Sequence, residues 1–271
     1  MADGSYRIPG GAPAPDPARV AQLADGLTPS ADFGAEADAA VADCLARLGE
    51  AARAKGADCA DLIASVRDRM TRLAPQGLVP RRGLAGLFDS PGKRLKAFRA
   101  AFRDGGGALA GLSAGLGERA GDIDRLTAGL DALADDLRGA VSALGEQVAA
   151  AREWLSRQAE EVEGLDDFRS RIAALEARLA ATVRALPLVR ALQNADARVR
   201  EGLIAAPRTI EAWRTDWTGH LGLDRKRPRK VRPAPEALAP TRDAVEAALA
   251  GIETEVSRAA QRRREIADRL G

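Results

Sequence analysis

The sequence predicts an all-α protein, an elongated coiled-coil-like helical hairpin or bundle with a disordered N-terminal tail, and three observations lead there. Leu109, Leu116, Ile123, Leu130, Leu137 and Leu144 recur one heptad apart, with Leu112, Leu126, Leu133, Val141 and Val148 three or four residues behind them. An apolar stripe of this period keeps one helix face against a partner helix along its whole length. Only 3% of the chain is aromatic, and alanine alone supplies roughly a fifth of it. Ala, Leu, Arg, Glu and Gln are strong helix formers, whereas large β-sandwiches and barrels need more aromatic and β-branched residues. Finally, no proline interrupts the chain between Pro91 and Pro187. Part of the Ala and Arg excess is also what a GC-rich genome supplies.

The elements follow in order. Residues 1–30 hold Pro9, Pro13, Pro15, Pro17 and Pro29 with few apolar anchors, which reads as a disordered tail. Residues 31–74 fit two short helices, one using Val41, Leu45 and Leu48, the other Leu62, Ile63, Val66 and Met70. A linker over 75–92 is punctuated by Pro and Gly, and Leu84, Leu87 and Phe88 within it are candidates to dock on the helices. Over 93–223 the pattern is helical. Leu95, Phe98 and Phe102 share a face, and Gly105, Gly106 and Gly107 predict a break or kink, because three glycines cost a helix about 3 kcal/mol relative to Ala. The heptad helix over 108–160 would be roughly 80 Å long at 1.5 Å per residue.

A second long helix starts near Asp166 with Phe168, Ile172, Leu175, Leu179, Val183 and Leu186 on one side, so the pair reads as an antiparallel hairpin. Pro187 predicts a kink and Pro207 a helix end. Thr209 then reads as the N-cap of a short helix holding Trp213 and Trp217. Residues 224–240 form a basic, Pro-rich linker. The last helix, over 241–271, carries Val245, Leu249, Ile252, Val256, Ala259, Ile266 and Leu270 at helical spacing.

Charge and rare residues narrow the function. The 41 basic and 39 acidic residues leave a formal charge of +2, so no global field draws in nucleic acid or membrane, and any such contact must be local. The start, MADGSYRIPGG, lacks a basic region followed by an apolar one, and no stretch is apolar enough to span a bilayer. The expectation is a cytoplasmic protein. Cys44, Cys59 and His220 are too few for a Cys/His metal site, and the two thiols read as small buried apolar groups.

Gly111 to Gly115, GLSAG, matches the G-x-S-x-G pattern of serine hydrolases, with His220 and Asp196 or Asp216 as nominal partners. The nucleophile of that motif needs a strand before it, and here Leu109, Leu112 and Leu116 place Ser113 inside a heptad helix. The run from Gly105 lacks the spacing of a phosphate cradle. The adjacent pairs Asp135/Asp136, Glu160/Glu161 and Asp166/Asp167 diverge by about 100° on a helix and read as solvated faces. No pattern asks for a cofactor or metal, and a non-enzymatic protein is expected.

Two groups remain as binding candidates. Trp213 and Trp217 lie one helical turn apart in an aromatic-poor chain, fit either for packing on the hairpin or for anchoring a partner helix. Arg225, Lys226, Arg227, Arg229, Lys230 and Arg232 form a basic loop suited to solvent, or to weak contact with anionic lipid or nucleic acid.

Residues 171–223 resemble the C-terminal half of the bacterial toxic-anion-resistance (tellurite-resistance) protein family. The shared features are Leu175-Glu176, Pro187, Arg190, Gln193-Asn194, Thr209-Ile210, Trp213 and Leu221-Gly222-Leu223, strongest in TIEAWRTDWTGHLGL. Residues 88–155 are similar to the family's leucine-rich helix. The resemblance implies a helical protein contributing to tolerance of tellurite or envelope stress, and it brings no catalytic residue. The resulting expectation is action through protein partners or self-association along the helical seam, with Trp213 and Trp217 as the anchor. The alternative is a scaffold that contacts nucleic acid or anionic membrane through the basic loop.

Overall fold

A computed structural model describes residues 14–56, 58–79, 90–158, 165–226 and 233–270. Within them the protein is all-α: α1 Pro17–Asp25, α2 Ala35–Arg53, α3 Ala60–Arg72, a 3₁₀ turn Pro75–Leu78, α4 Pro91–Arg157, α5 Leu165–Ala195, α6 Ala197–His220 and α7 Pro235–Leu270. No strand occurs among the described residues. The chain divides into two compact units, one of residues 1–54, 126–194 and 262–271, the other of 55–125 and 195–261.

In the first unit, Val41, Leu48 and Ala52 of α2 meet Leu137, Val141, Leu144 and Val148 of α4, Leu175, Leu179 and Leu192 of α5, and Ile266 of α7. Phe168 packs edge-on against both Phe33 and Trp154. Arg171 and Arg178 of α5 both reach Asp38 of α2, at 3.4 and 3.1 Å, and Arg47 of α2 reaches Asp136 of α4 at 2.9 Å. Cys44 is buried here, and burial raises its thiol pKa. Helix α1 corrects the expected tail over residues 17–25. Asp16 caps it by accepting from the Ala18 N–H at 3.0 Å, Pro17 sits in its first turn, and Val20 and Ala24 bury against Ala149 and Ala150.

In the second unit, Ile63, Val66 and Met70 of α3 join Phe98, Phe102, Leu109 and Leu116 of α4, the apolar stripe of α6, and Leu238, Val245, Leu249 and Ile252 of α7. Arg67 of α3 lies 2.5 Å from Glu253 and 3.4 Å from Glu246 of α7. Arg200 of α6 pairs with Asp124 of α4, and that hydrogen bond holds the Asp124 carboxyl below the usual aspartate pKa.

Leu109, Leu116, Ile123, Leu130, Leu137 and Leu144 are all buried, and Leu112 and Leu126 are half-buried against the same clusters, so the chain's own helices fill the seam. The expected break at Gly105 to Gly107 and the expected helix end at Pro207 are overturned. Helix α4 runs without a break through Gly105, Gly106 and Gly107. Its propensity cost is about 1 kcal/mol per glycine, while each buried neighbour, Phe98, Phe102 or Leu109, contributes about 1.5–3 kcal/mol. Helix α5 continues through Pro187, and α6 through Pro207, the boundary falling at Asp196 instead. Pro207 removes one helical hydrogen bond, yet Val199, Leu203, Ala206, Ile210, Trp213 and Trp217 form one buried stripe that outweighs it. Thr209 is therefore no cap, and its hydroxyl donates back to the Ala205 carbonyl at 3.3 Å. Helix α7 likewise begins at Pro235, not near Thr241, because Pro235 suits the first helical position and Leu238 is fully buried.

Gly111, Gly129 and Gly139 are exposed within α4, and a Cβ on any of them would meet no atom within 4 Å. Replacing all three by alanine should raise the unfolding free energy by about 1.5–3 kcal/mol, since alanine lowers the entropy lost on forming the helix. Denaturant titration, read as an unchanged slope with a higher midpoint, checks this.

Candidate functional site

An aromatic cluster of the second unit lies where α4 begins and α6 ends. Phe98 and Phe102 lie one turn apart on α4, Trp213 and Trp217 one turn apart on α6. Their rings interlock, with Phe102 edge-on to Trp213 at 5.3 Å, Phe98 5.8 Å from Trp217, and the two indoles 5.0 Å apart. The Trp217 Nε1–H donates to the Leu238 carbonyl at 3.0 Å, tying α6 to the first turn of α7. The Trp213 Nε1 is buried with no oxygen or nitrogen partner. Both tryptophans are 0% exposed, which corrects the expectation of an anchor for a partner helix. The tryptophan surface is spent inside the unit, leaving none to offer.

Helix α6 stops in a Schellman motif. Gly222 takes a left-handed φ of 66°, its N–H donates to the Gly219 carbonyl at 3.0 Å, and the Leu223 N–H reaches back to the Thr218 carbonyl at 2.9 Å. Leu221 and Leu223 on either side pack on the core. The Leu221-Gly222-Leu223 of the sequence is thus a helix cap with its two apolar anchors.

The free carbonyl of Leu221 accepts a hydrogen bond from the Arg99 Nε at 2.9 Å. This contact joins two basic stretches far apart in the chain. From Pro91 to Arg103 the sequence holds Lys93, Arg94, Lys96, Arg99 and Arg103 with no carboxylate, and Arg225 and Lys226 follow the α6 cap. Lys93, Lys96, Arg103, Arg225 and Lys226 are exposed. Burial, and then the charge of Arg103, lower the Arg99 pKa from its ordinary value. Among the described residues, Asp104 and Asp224 are the exposed carboxylates adjoining these stretches in sequence, and Glu211 is taken up by Arg214 at 2.9 Å.

A cleft of about 550 Å³ opens beside this cluster, lined by Arg103, Gly106, Gly107, Arg214, Thr215 and Asp224 among others. Gly107 has no atom within 4 Å of where a Cβ would sit, and Gly106 only the Arg214 side chain at 4.0 Å, so the absence of side chains there keeps the cleft open. The remaining residues of the expected basic loop, Arg227, Arg229, Lys230 and Arg232, lie outside the described residues, as do Leu84, Leu87 and Phe88.

Elsewhere the chemistry is sparse. Ser113 is buried mid-helix on α4, without the strand-to-helix turn that would present its hydroxyl. The single histidine, His220, lies 3.4 Å from Asp216, whose other oxygen accepts from Thr241. A recess of about 290 Å³ is lined by Lys55, Cys59, Asp196, Val199 and Val256, and burial raises the Cys59 thiol pKa away from the reactive thiolate. Among the described residues, no group of three or more His, Cys, Asp or Glu is placed to hold a metal ion. No helix among them is long and apolar enough to cross a membrane.

No family model matches this chain, and neither a curated protein nor a solved structure is similar to it. The fold and the cationic end of α4 and α6 therefore carry the functional argument.

Proposed function

We propose that the protein is a non-enzymatic helical adaptor that binds polyanionic surfaces through the cationic end of its second unit. The observation that carries this is the Arg99 to Leu221 hydrogen bond, which gathers the basic start of α4 and the basic residues after the α6 cap into one place. Clustered Lys and Arg that have no internal partner gain by releasing counterions from an anionic polymer or surface. Lys93, Lys96, Arg103, Arg225 and Lys226 make no ion pair with a described residue. The expected result is retention of the chain on immobilised heparin, weakening with salt, and earlier elution of the Arg225→Glu/Lys226→Glu variant. Elution unchanged by the reversal would sink the proposal.

A second reading, tolerance of tellurite or envelope stress through binding partners, is favoured by the register of the TIEAWRTDWTGHLGL segment. Its Trp213, Leu221, Gly222 and Leu223 form the core and cap of α6, as a shared helical scaffold would require. Growth of a deletion strain over a tellurite series tests it, with the intact gene and the charge-reversed variant as complements. A deletion strain as tolerant as its parent rules the reading out. Rescue by the intact gene alone would link tolerance to the cationic end.

A further inference from the structure

We infer that the cationic end of the second unit docks on anionic phospholipid, with Lys93, Lys96, Arg103, Arg225 and Lys226 meeting the headgroups and Val79 entering the interface at its edge. This rests on the polyanion reading above and names the partner.

Three observations favour lipid over nucleic acid. Val79, 48% exposed, is the one large apolar side chain left exposed among the described residues. It follows the 3₁₀ turn, whose Gly77 lies against the Phe98 ring, with a Cβ there 3.9 Å from Phe98 Cδ2. The exposed valine is thus held near the same turn of α4 that presents Lys96 and Arg99. A headgroup layer takes cations and an apolar side chain together, whereas a phosphate backbone has nothing to offer the valine.

Secondly, Phe98, Phe102, Trp213 and Trp217, the described Phe and Trp residues of this unit, are all buried, so no described phenyl or indole ring of the unit is free to stack on an unpaired base, and His220 is its one exposed described ring. Thirdly, the exposed Lys93, Lys96 and Arg103 fall within about 80° of one another around α4 at 100° per residue. The side of that stripe away from the core therefore meets a flat anionic surface with several cations at once. Arg94 lies on the other flank of the Phe98 and Phe102 stripe. The sequence after Val79, with Arg81 and Arg82 close to Leu84, Leu87 and Phe88, has the same basic and apolar mixture, and the proposed surface is made of described residues alone.

The experiment is co-sedimentation of the full chain with phosphatidylcholine vesicles, and with vesicles of phosphatidylcholine mixed with phosphatidylserine, beside duplex and single-stranded DNA binding in the same buffers. The expected result is partition onto the serine-containing vesicles, none onto phosphatidylcholine alone, and a fall as ionic strength rises. Reversing Lys93, Lys96, Arg103, Arg225 and Lys226 to glutamate should weaken partition by more than about 100-fold, each cation near an anionic surface being worth about a fivefold change. Carboxylates at 93 and 96 suit the dipole at the start of α4 while those at 225 and 226 oppose it at the end of α6, so circular dichroism verifies the fold of the variant.

Val79→Ser is the second variant. It should lower vesicle partition about fivefold and leave any DNA binding unchanged. Binding to DNA but not to phosphatidylserine vesicles, lost on charge reversal, overturns the lipid assignment while the polyanion reading stands. Binding to none of vesicles, DNA and heparin overturns both. Vesicle binding indifferent to the five reversals overturns the proposed surface.

Discussion

Replacing Trp217 by alanine is expected to lower the unfolding free energy by about 3–5 kcal/mol, the range for deleting a fully buried aromatic side chain. Three losses combine. The indole is 0% exposed and touches Phe98, Phe102 and Trp213, so its removal leaves a cavity between α4 and α6. The Nε1 hydrogen bond to the Leu238 carbonyl disappears, leaving a buried acceptor without its donor. The α6 cap, and with it the Arg99 contact, sits one turn further on. Trp217→Phe should recover a good part of the packing and none of the hydrogen bond. Denaturant titration of both variants separates the two contributions, and a loss below about 1 kcal/mol for alanine would contradict the packing described.

The second large effect is expected at Gly34, in the first unit. Its φ of 70° is left-handed, a region that costs an alanine about 1–2 kcal/mol. The added Cβ would also fall 2.8 Å from Leu175 Cδ1, and Leu175 is itself fully buried, so it has little room to yield. Overpacking of that kind costs about 1–3 kcal/mol, giving roughly 2–5 kcal/mol for Gly34→Ala. Thermal melts in a Leu175→Ala background divide the sum. The clash should vanish there and the backbone strain remain, so an identical cost in both backgrounds would contradict the predicted contact.

What was legible in the sequence was periodicity. The heptads from Leu109 to Leu144 gave the buried stripe of α4 directly, and Val245 to Ile266 gave that of α7. What misled was local propensity. Pro207, and the glycines at 105–107, look decisive in isolation, but each lies inside a stripe whose burial exceeds its cost, as with Leu203, Ile210 and Trp213 around Pro207. Helix α1 was illegible for the opposite reason. Its anchors are Val20 and Ala24 on Ala149 and Ala150, and alanine on alanine gives no signal against an alanine-rich background. The basic loop was visible as a run of charge, and half of its surroundings was not. Lys93 to Arg103 lie more than a hundred positions upstream, and the Arg99 bond to Leu221 joins them to it. The tryptophans stood out by rarity, which marks importance without saying whether a side chain faces inward.

The order in which the chain visits its two units bears on how it is made. It starts in the first, crosses to the second at residue 55, returns at 126, leaves again at 195 and comes back at 262. Residues 262–270 bring Ile266 into the core of the first unit, and the Arg263 guanidinium onto the Ala51 carbonyl at 2.9 Å. During synthesis α1, α2 and α5 must therefore wait for the end of α7 to leave the ribosome before their unit is complete, although most of their residues emerged much earlier. The second unit closes first, once residue 261 is out. Cutting the gene at any point within residues 55–261 severs both units, whereas a two-plasmid split or a tag inserted near residue 262 disturbs the first unit alone.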